Sequence, residues 1–201
     1  MDTLVPINVY VKAGIHIGTR HLTKDMKPYV SKIREDGLAI FDIRKIDERL
    51  RLASKMLSYY EPNEILVVGR RETAITPIKK FSEITKVKAF PGRYPPGTLT
   101  NPQLKYYMEP EVILITDPIM DKNALHDAYE SGITILALCD TNHTKNYIDF
   151  CIPANNRGSK SLALIYWILA REYLRNRGVI GKDEQLKVPV EEFETKITVE
   201  E

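Results

Sequence analysis

The sequence PEVILITDPIMDKNALHDAYESGITILALCDTN occupies residues 110–142 and decides the fold. It holds two continuous apolar runs, at residues 112–115 and 133–139, and an aspartate follows each run, Asp117 and Asp140. Between the runs, apolar residues recur at helical spacing. Apolar runs separated by one helix are typical of parallel strands that are buried on both faces. This stretch therefore predicts a βαβ unit at the centre of an α/β domain.

The pattern extends to both sides of this unit. Further apolar runs predict strands at residues 38–41, 65–68, 87–90 and 146–152. Amphipathic or apolar segments predict helices between several of these strands and a long last helix at residues 159–176. This order predicts a doubly wound, mostly parallel sheet of five strands with helices on both faces, as in Rossmann-like and flavodoxin-like domains.

The sequence predicts one domain and a tail. The α/β domain spans residues 1–180, and its first 36 residues form an N-terminal helix and a basic loop. Residues 181–201 carry 3 Lys and Arg against 7 Asp and Glu, so we expect a mobile or partner-ordered acidic tail. Since the 159–176 helix is apolar on most of its circumference, it needs cover on more than one side. One hypothesis is therefore a protein-interaction module built from this helix and the tail.

The charge is unevenly distributed along the chain. Residues 1–110 carry 19 Lys and Arg against 12 Asp and Glu, although the whole chain has a net charge of only +2. No apolar run approaches the roughly 18 residues of a membrane span, and the N-terminus lacks a signal-peptide pattern. The two cysteines, Cys139 and Cys151, lack CxxC spacing and are interpreted as buried thiols. These features predict a cytoplasmic protein with a polyanion-binding surface on one side.

The strongest nucleic-acid signal is residues 14–34, which we call the basic loop. It interleaves cations with aromatic and imidazole rings, and we expect cations to pair with phosphates and rings to stack on bases. The cations are Arg20, Lys24, Lys27, Lys32 and Arg34, and the rings are His16, His21 and Tyr29. A second anion-friendly position is Gly69-Arg70-Arg71, where a predicted strand meets a helix start.

The sequence contains few of the residue patterns that enzymes need. None of the motifs GxxxxGK[ST], GxGxxG, GxSxG or HExxH occurs. Asp117 and Asp140 end predicted neighbouring strands and could hold Mg²⁺, with His16 as a third group. One hypothesis is therefore that the protein is a Mg²⁺-dependent enzyme or a receiver-like module. The other interpretation is that each aspartate fixes its loop or caps a helix, and we expect a binding role rather than catalysis.

Several collinear segments resemble one protein family. They are AGIHIGTRHLTKDMKPYV, GLAIFDIRKIDERL, VVGRRETA, RYPPGTLTN and the long segment from PEVILITDP to NNRGSKSLALI. Over roughly residues 8–180 they resemble ribosomal protein two of the small subunit, the family whose eukaryotic member is ribosomal protein SA, or laminin-receptor precursor. The chain lacks the helical-hairpin insertion of bacterial members after LTN, and it also lacks the long acidic extension of animal members. It therefore resembles the archaeal type.

The resemblance implies a non-catalytic structural protein of the small ribosomal subunit. Family members assemble late, sit between head and body, and touch ribosomal RNA and neighbouring ribosomal proteins. On the matching segments, the resemblance implies RNA contacts for Arg20, Lys24, Lys27, Arg70, Arg71 and Arg93. It implies no cofactor, small-molecule substrate or membrane association. Some bacterial members hold a metal near the positions of His16, Asp117 and Asp140, but we predict none in this chain.

Overall fold

The computed structural model of the protein describes residues 3–181 and 184–195. The strands are β1 Val30–Ile33, β2 Ala39–Phe41, β3 Ile65–Gly69, β4 Lys88–Pro91, β5 Val112–Ile115, β6 Thr134–Cys139 and β7 Phe150–Pro153. The helices are α1 Ile7–Ala13, α2 Ile43–Leu57, α3 Glu72–Thr85, α4 Lys122–Glu130 and α5 Ser159–Asn176. Short 3₁₀ helices cover Lys27–Tyr29, Pro62–Glu64 and Val190–Phe193. Among the described residues, no helix is long and apolar enough to cross a membrane.

The main sheet confirms the predicted doubly wound architecture. Its five strands are all parallel and lie in the order β4-β3-β5-β6-β7. The two central strands β3 and β5 are fully buried, which explains why their sequences read as continuous apolar runs. The chain moves from β3 to β4 in one direction and from β5 to β6 in the other. The right-handed crossover rule therefore places α3 and α4 on opposite faces.

The two faces of the sheet are covered differently. On one face, α2 and α3 both pack against α5. On the other face, α4 packs against β5 and β6, and the segment after β4 lies beside it. In that segment Tyr94 and Leu99 are buried, and the Tyr94 hydroxyl donates to Asp127 of α4 at 3.0 Å. Tyr94 therefore closes the core on this face of the sheet.

Helix α5 is covered within the chain, and part of the predicted tail provides this cover. The indole Nε1 of Trp167 donates to the carbonyl of Val188 at 2.9 Å, and Phe193 is fully buried. Apolar residues spaced along this acidic segment supply the contacts. The expectation of a mobile or partner-ordered tail is therefore wrong for residues 184–195, and the proposed interaction surface on α5 is already occupied. Residues 182–183 and 196–201 of that tail lie outside the described residues.

The predicted strand at residues 38–41 exists but belongs to a different sheet. It is β2, which pairs antiparallel with β1, within a stretch that the sequence predicted to be loop. The other side of β2 is taken by the preceding segment, because the amide of Gly18 donates to Ala39 at 2.9 Å and the amide of Phe41 donates to His16 at 2.8 Å. Asp42 then caps α2 by accepting from the amide of Arg44 at 2.9 Å.

Candidate nucleic-acid interface

The carboxyl ends of β3 and β5 form the position where doubly wound sheets ordinarily bind ligands. The helices that follow these two strands leave on opposite faces, which opens a crevice in many such folds. Here the floor of the crevice, beside Gly69, is filled by the chain itself, and an open pocket lined by Arg70, Arg71 and Met120 remains next to it. A Cβ atom on Gly69 would lie 2.5 Å from the Thr116 hydroxyl oxygen and 2.5 Å from the Ile78 Cδ1, so only glycine fits between these groups.

Asp117 is the centre of a buried polar network at this edge. Its Oδ1 accepts from the amides of Ile119 at 3.0 Å and Met120 at 3.3 Å, and His143 Nε2 lies 3.1 Å from it. Its Oδ2 accepts a short hydrogen bond from the guanidinium of Arg71. Burial alone would raise the pKa of Asp117, but His143 and Arg71 outweigh it and lower that pKa to about 2. Asp117 therefore remains a carboxylate that fixes its own loop.

His143 joins the two strand-end aspartates. Its Nδ1 accepts from the backbone amide of Asp140 at 3.0 Å, so the Nε2 carries the proton that is donated to Asp117. The Asp140 carboxylate accepts from the amide of Thr141 at 2.7 Å and lies 3.4 Å from Arg157. Burial raises the pKa of Asp140 despite these contacts. The loop-fixing interpretation of both aspartates is confirmed.

Two further side chains at this edge were missed by sequence reasoning. Asn156 is fully buried, and its Nδ2 donates to the carbonyls of Thr116 at 3.1 Å and Leu138 at 3.2 Å. It therefore ties the ends of β5 and β6 together. Asp121 accepts from the amide of Arg70 at 3.1 Å, and burial raises its pKa to about 6. Only the position of these residues beside strand ends could have suggested these roles.

The structure does not support the metal alternative. Among the described residues, no group of three or more His, Cys, Asp or Glu side chains is arranged to hold a metal ion. Asp117 instead directs its oxygens to His143, Arg71 and backbone amides. The hypothesis had chosen His16 as the third group, whereas the histidine in contact with Asp117 is His143.

The basic loop is held against the carboxyl end of β6. The amide of Thr19 donates to the Thr141 hydroxyl at 2.8 Å, and the amide of Thr23 donates to the carbonyl of Thr141 at 3.0 Å. In return, the amide of Lys145 donates to Asp25 at 3.0 Å. These bonds join residues about 120 positions apart in the chain. They fix the loop in place, and their donors and acceptors are not recognisable from local spacing.

The six predicted RNA-binding residues fall into two groups. Arg20, Lys24 and Lys27 are exposed on the basic loop, and Arg70 and Arg93 are exposed just after β3 and β4. Among the described residues, no acidic side chain forms an ion pair with any of these five. Arg70 and Arg93 share one edge because parallel strands have their carboxyl ends together, and the basic loop is bonded at the same edge to Thr141, just after β6. Arg71 differs, since it is paired with the buried Asp117.

The rings of the basic loop are less available than expected. Tyr29 is only 7% exposed, and its ring lies between the guanidinium of Arg49 at 5.4 Å and the ammonium of Lys145 at 4.7 Å. These are cation–π distances. Tyr29 therefore anchors the loop to α2 and to the β6–β7 connection, and it cannot stack on a base. Among the three rings, His21 alone is exposed to solvent, because His16 is half-buried and Tyr29 is buried.

The fold is a doubly wound α/β domain that carries exposed, unpaired cations of its described residues beside the carboxyl ends of its strands. The family model described as ribosomal protein S2 matches residues 10–108 and 103–175. The chain therefore belongs to the ribosomal protein S2 family, whose members are structural constituents of ribosomes and not enzymes.

The similar proteins agree with this assignment. The chain is 52% identical to the small ribosomal subunit protein uS2 of Staphylothermus marinus, over 98% of this chain and 89% of that protein. It is 50% identical to the protein of the same name from Thermoplasma acidophilum, over 98% of both chains. It is also 50% identical to that of Saccharolobus solfataricus, over 98% and 85%. These relatives place it with the archaeal type of the family.

Proposed function

We propose that this protein is a structural constituent of the small ribosomal subunit that binds ribosomal RNA through the cations of its basic loop. The observation that carries the proposal is that Arg20, Lys24 and Lys27 are exposed and unpaired among the described residues, on a loop that is anchored to the sheet. Phosphate oxygens are the partners that such cations accept. Arg70 and Arg93 extend the same surface along the sheet edge.

The anchoring of the loop is what makes this surface suitable for binding. A loop that is already ordered loses little conformational entropy when it binds, so more of the contact energy appears as affinity. The bonds from Thr19, Thr23 and Asp25 to the β6–β7 connection provide this order. The cations then project from a fixed backbone. Contacts with phosphates can orient a protein on RNA only if the cations are held in this way.

The finer parts of the proposal follow from the family. The protein lies between head and body of the subunit, contacts neighbouring ribosomal proteins and supports subunit assembly and translation in the cytoplasm. The tight packing of Gly69 against Thr116 and Ile78 supports a scaffold role, because it leaves no room for a ligand group between β3 and β5 at that point.

The test compares two triple variants with the same change of charge. Arg20→Gln, Lys24→Gln and Lys27→Gln together should reduce the slope of log affinity against log salt by about one unit per cation, measured on small-subunit ribosomal RNA. The control is Lys55→Gln, Lys79→Gln and Lys105→Gln, three exposed lysines on other elements. Equal slopes for the two variants would contradict an RNA surface on the basic loop. In parallel, wild type should co-sediment with small subunits at low salt and be removed at high salt.

A further inference from the structure

A second surface of the protein is formed by an exposed pair of tyrosines. Tyr129 on α4 is 56% exposed and Tyr147 in the β6–β7 connection is 52% exposed, and their ring centroids lie 4.5 Å apart. The two tyrosines form one exposed aromatic surface. Tyrosine is one of the residues that most often carry binding energy at protein interfaces.

The backbone of Tyr147 has a conformation that is uncommon for a bulky residue. Its φ of +65° lies in the left-handed region, within a turn closed by the amide of Ile148 donating to Lys145 at 3.0 Å. Glycine or asparagine occupies such a position readily, whereas a bulky residue is strained there. The chain thus tolerates strain at a position where a small residue would relieve it. The side chain held in this conformation packs against Tyr129 and lines the pocket described next.

Beside the pair lies a pocket of about 310 Å³ that we call the tyrosine pocket. Its apolar walls come from Pro118, Ile119, Leu125 and Tyr147, and the buried His143 reaches its base. Tyr147 belongs to both the pocket lining and the tyrosine pair, and Ile119 of the lining is 44% exposed. A volume of this size admits one large side chain of another molecule.

The charges around the pocket differ from those of the basic loop. His126 is paired with Glu130 at 3.4 Å, and exposed Lys122 forms no ion pair with any described residue. The rim therefore offers a single unpaired cation beside an apolar cavity. A nucleic-acid strand gains affinity from several cations along its backbone. One cation beside apolar walls is complementary to a protein segment that carries one carboxylate next to a large apolar side chain.

We propose that the tyrosine pocket docks an extended segment of a neighbouring protein, with an aliphatic or aromatic side chain inside the pocket and a carboxylate on Lys122. This inference rests on the proposed function, since the partner is a protein of the small subunit. It assigns the protein contacts to α4 and the β6–β7 connection, and it leaves the RNA contacts on the basic loop.

The first test is photo-crosslinking from within the pocket. A chain carrying p-benzoylphenylalanine in place of Tyr147 is assembled into small subunits that were reconstituted without this protein. We expect a covalent link to a subunit protein, within a peptide that holds a large apolar residue close to Asp or Glu, identified by mass spectrometry. Links to ribosomal RNA alone, or no link in subunits that contain the chain, would overturn the inference. A wild-type chain that does not enter subunits would overturn the proposed function as well.

The second test separates docking from folding. Tyr147→Gly and Lys122→Glu should each weaken binding to subunits that lack this protein by about tenfold, the size expected for an interface anchor. The salt slope on isolated ribosomal RNA should not change. Since glycine relaxes the backbone at residue 147, the unfolding midpoint of Tyr147→Gly should stay close to that of wild type. Tyr59→Ala, at a tyrosine that is 74% exposed elsewhere, is the control. An equal loss in the control would refute a specific pocket.

Discussion

The filled crevice and the basic loop lie at the same edge of the sheet, but they use charge in opposite ways. In the crevice, Asp117 is 2% exposed and is bonded to His143, Arg71 and two backbone amides. On the basic loop, Lys24 and Lys27 are exposed and unpaired among the described residues. Charge in the crevice therefore stabilises the fold, whereas charge on the basic loop is available to a binding partner.

The energetic consequences of the two arrangements also differ. Removing one member of a buried ion pair leaves an uncompensated charge, which costs about 3–5 kcal/mol. An exposed cation contributes little to the free energy of unfolding. Its removal instead lowers the affinity for a polyanionic ligand. Substitutions in the crevice should therefore change the free energy of unfolding, and substitutions on the basic loop should change RNA affinity. The predictions below use this contrast.

The largest effect is expected for Asp117→Asn. The substitution keeps an acceptor for the loop amides but removes the negative charge that faces Arg71 and His143. The free energy of unfolding in urea should fall by about 3 kcal/mol or more. The control is Asp36→Asn, in an exposed pair with Arg34 at 3.4 Å, which should cost less than about 1 kcal/mol. Similar losses for the two variants would mean that the buried network does not stabilise the fold.

The next effect is a dependence of stability on pH with a maximum in mild acid. The pKa of Asp121 is raised from 3.8 to about 6 by burial, so the folded state takes up this proton more readily than the unfolded state. Stability should therefore rise by about 2 kcal/mol as pH falls from 7 to about 4.5. The pKa of Asp117 is lowered to about 2 although burial opposes this, so stability should be lost again as pH falls below about 4.

Urea unfolding at a series of pH values checks this profile, with Asp121→Asn as the matched variant. That variant should show a smaller rise between pH 7 and 4.5 and should keep the loss at lower pH. The raised pKa of Asp140 acts in the same direction as that of Asp121, so the rise should be reduced and not abolished. A profile without any rise on acidification would contradict the structural reasoning for Asp121.

The smallest effects are expected for single cations, and they distinguish the two regions most directly. Arg71→Gln should lower the free energy of unfolding by about 2 kcal/mol, because it removes the charge-assisted bond to Asp117. This is less than the loss for Asp117→Asn, since Arg71 is 25% exposed and Asp117 keeps His143 and two backbone amides. Arg71→Gln should leave the salt slope of RNA binding nearly unchanged. Lys24→Gln should do the reverse, with stability within about 0.5 kcal/mol of wild type and a salt slope lower by about 0.9. If Arg71→Gln reduces the slope as much as Lys24→Gln does, Arg71 also contacts RNA.

Much of the fold could be predicted, because the relevant signals are local. The βαβ unit, the capping of α2 by Asp42 and the bounds of α5 follow from runs, spacing and turn residues. The sheet to which β2 belongs could not be predicted in this way. Its sequence reads as a strand, but whether it joins the main sheet depends on the segment at residues 16–19, which occupies its other side.

The candidate site was predictable in composition and not in arrangement. Arg20, Lys24 and Lys27 could be found because a dense run of cations is visible in the sequence itself. The roles of Arg71 and His143 were not visible, because their partner Asp117 lies 46 and 26 positions away in the chain. The packing of Phe193 was missed for a related reason, since an acidic composition masked the few apolar residues that make the contact.

The sequence by itself therefore determined the class of fold, the identity of the family and the presence of a basic surface, since each depends on local pattern or on collinear residues. Only the tertiary structure decided which charges are free. Whether an arginine binds RNA or completes a buried pair depends on distances between strand ends, and these are set by the register of the sheet. The same holds for the tyrosine pocket, which exists because α4 and the β6–β7 connection meet in space.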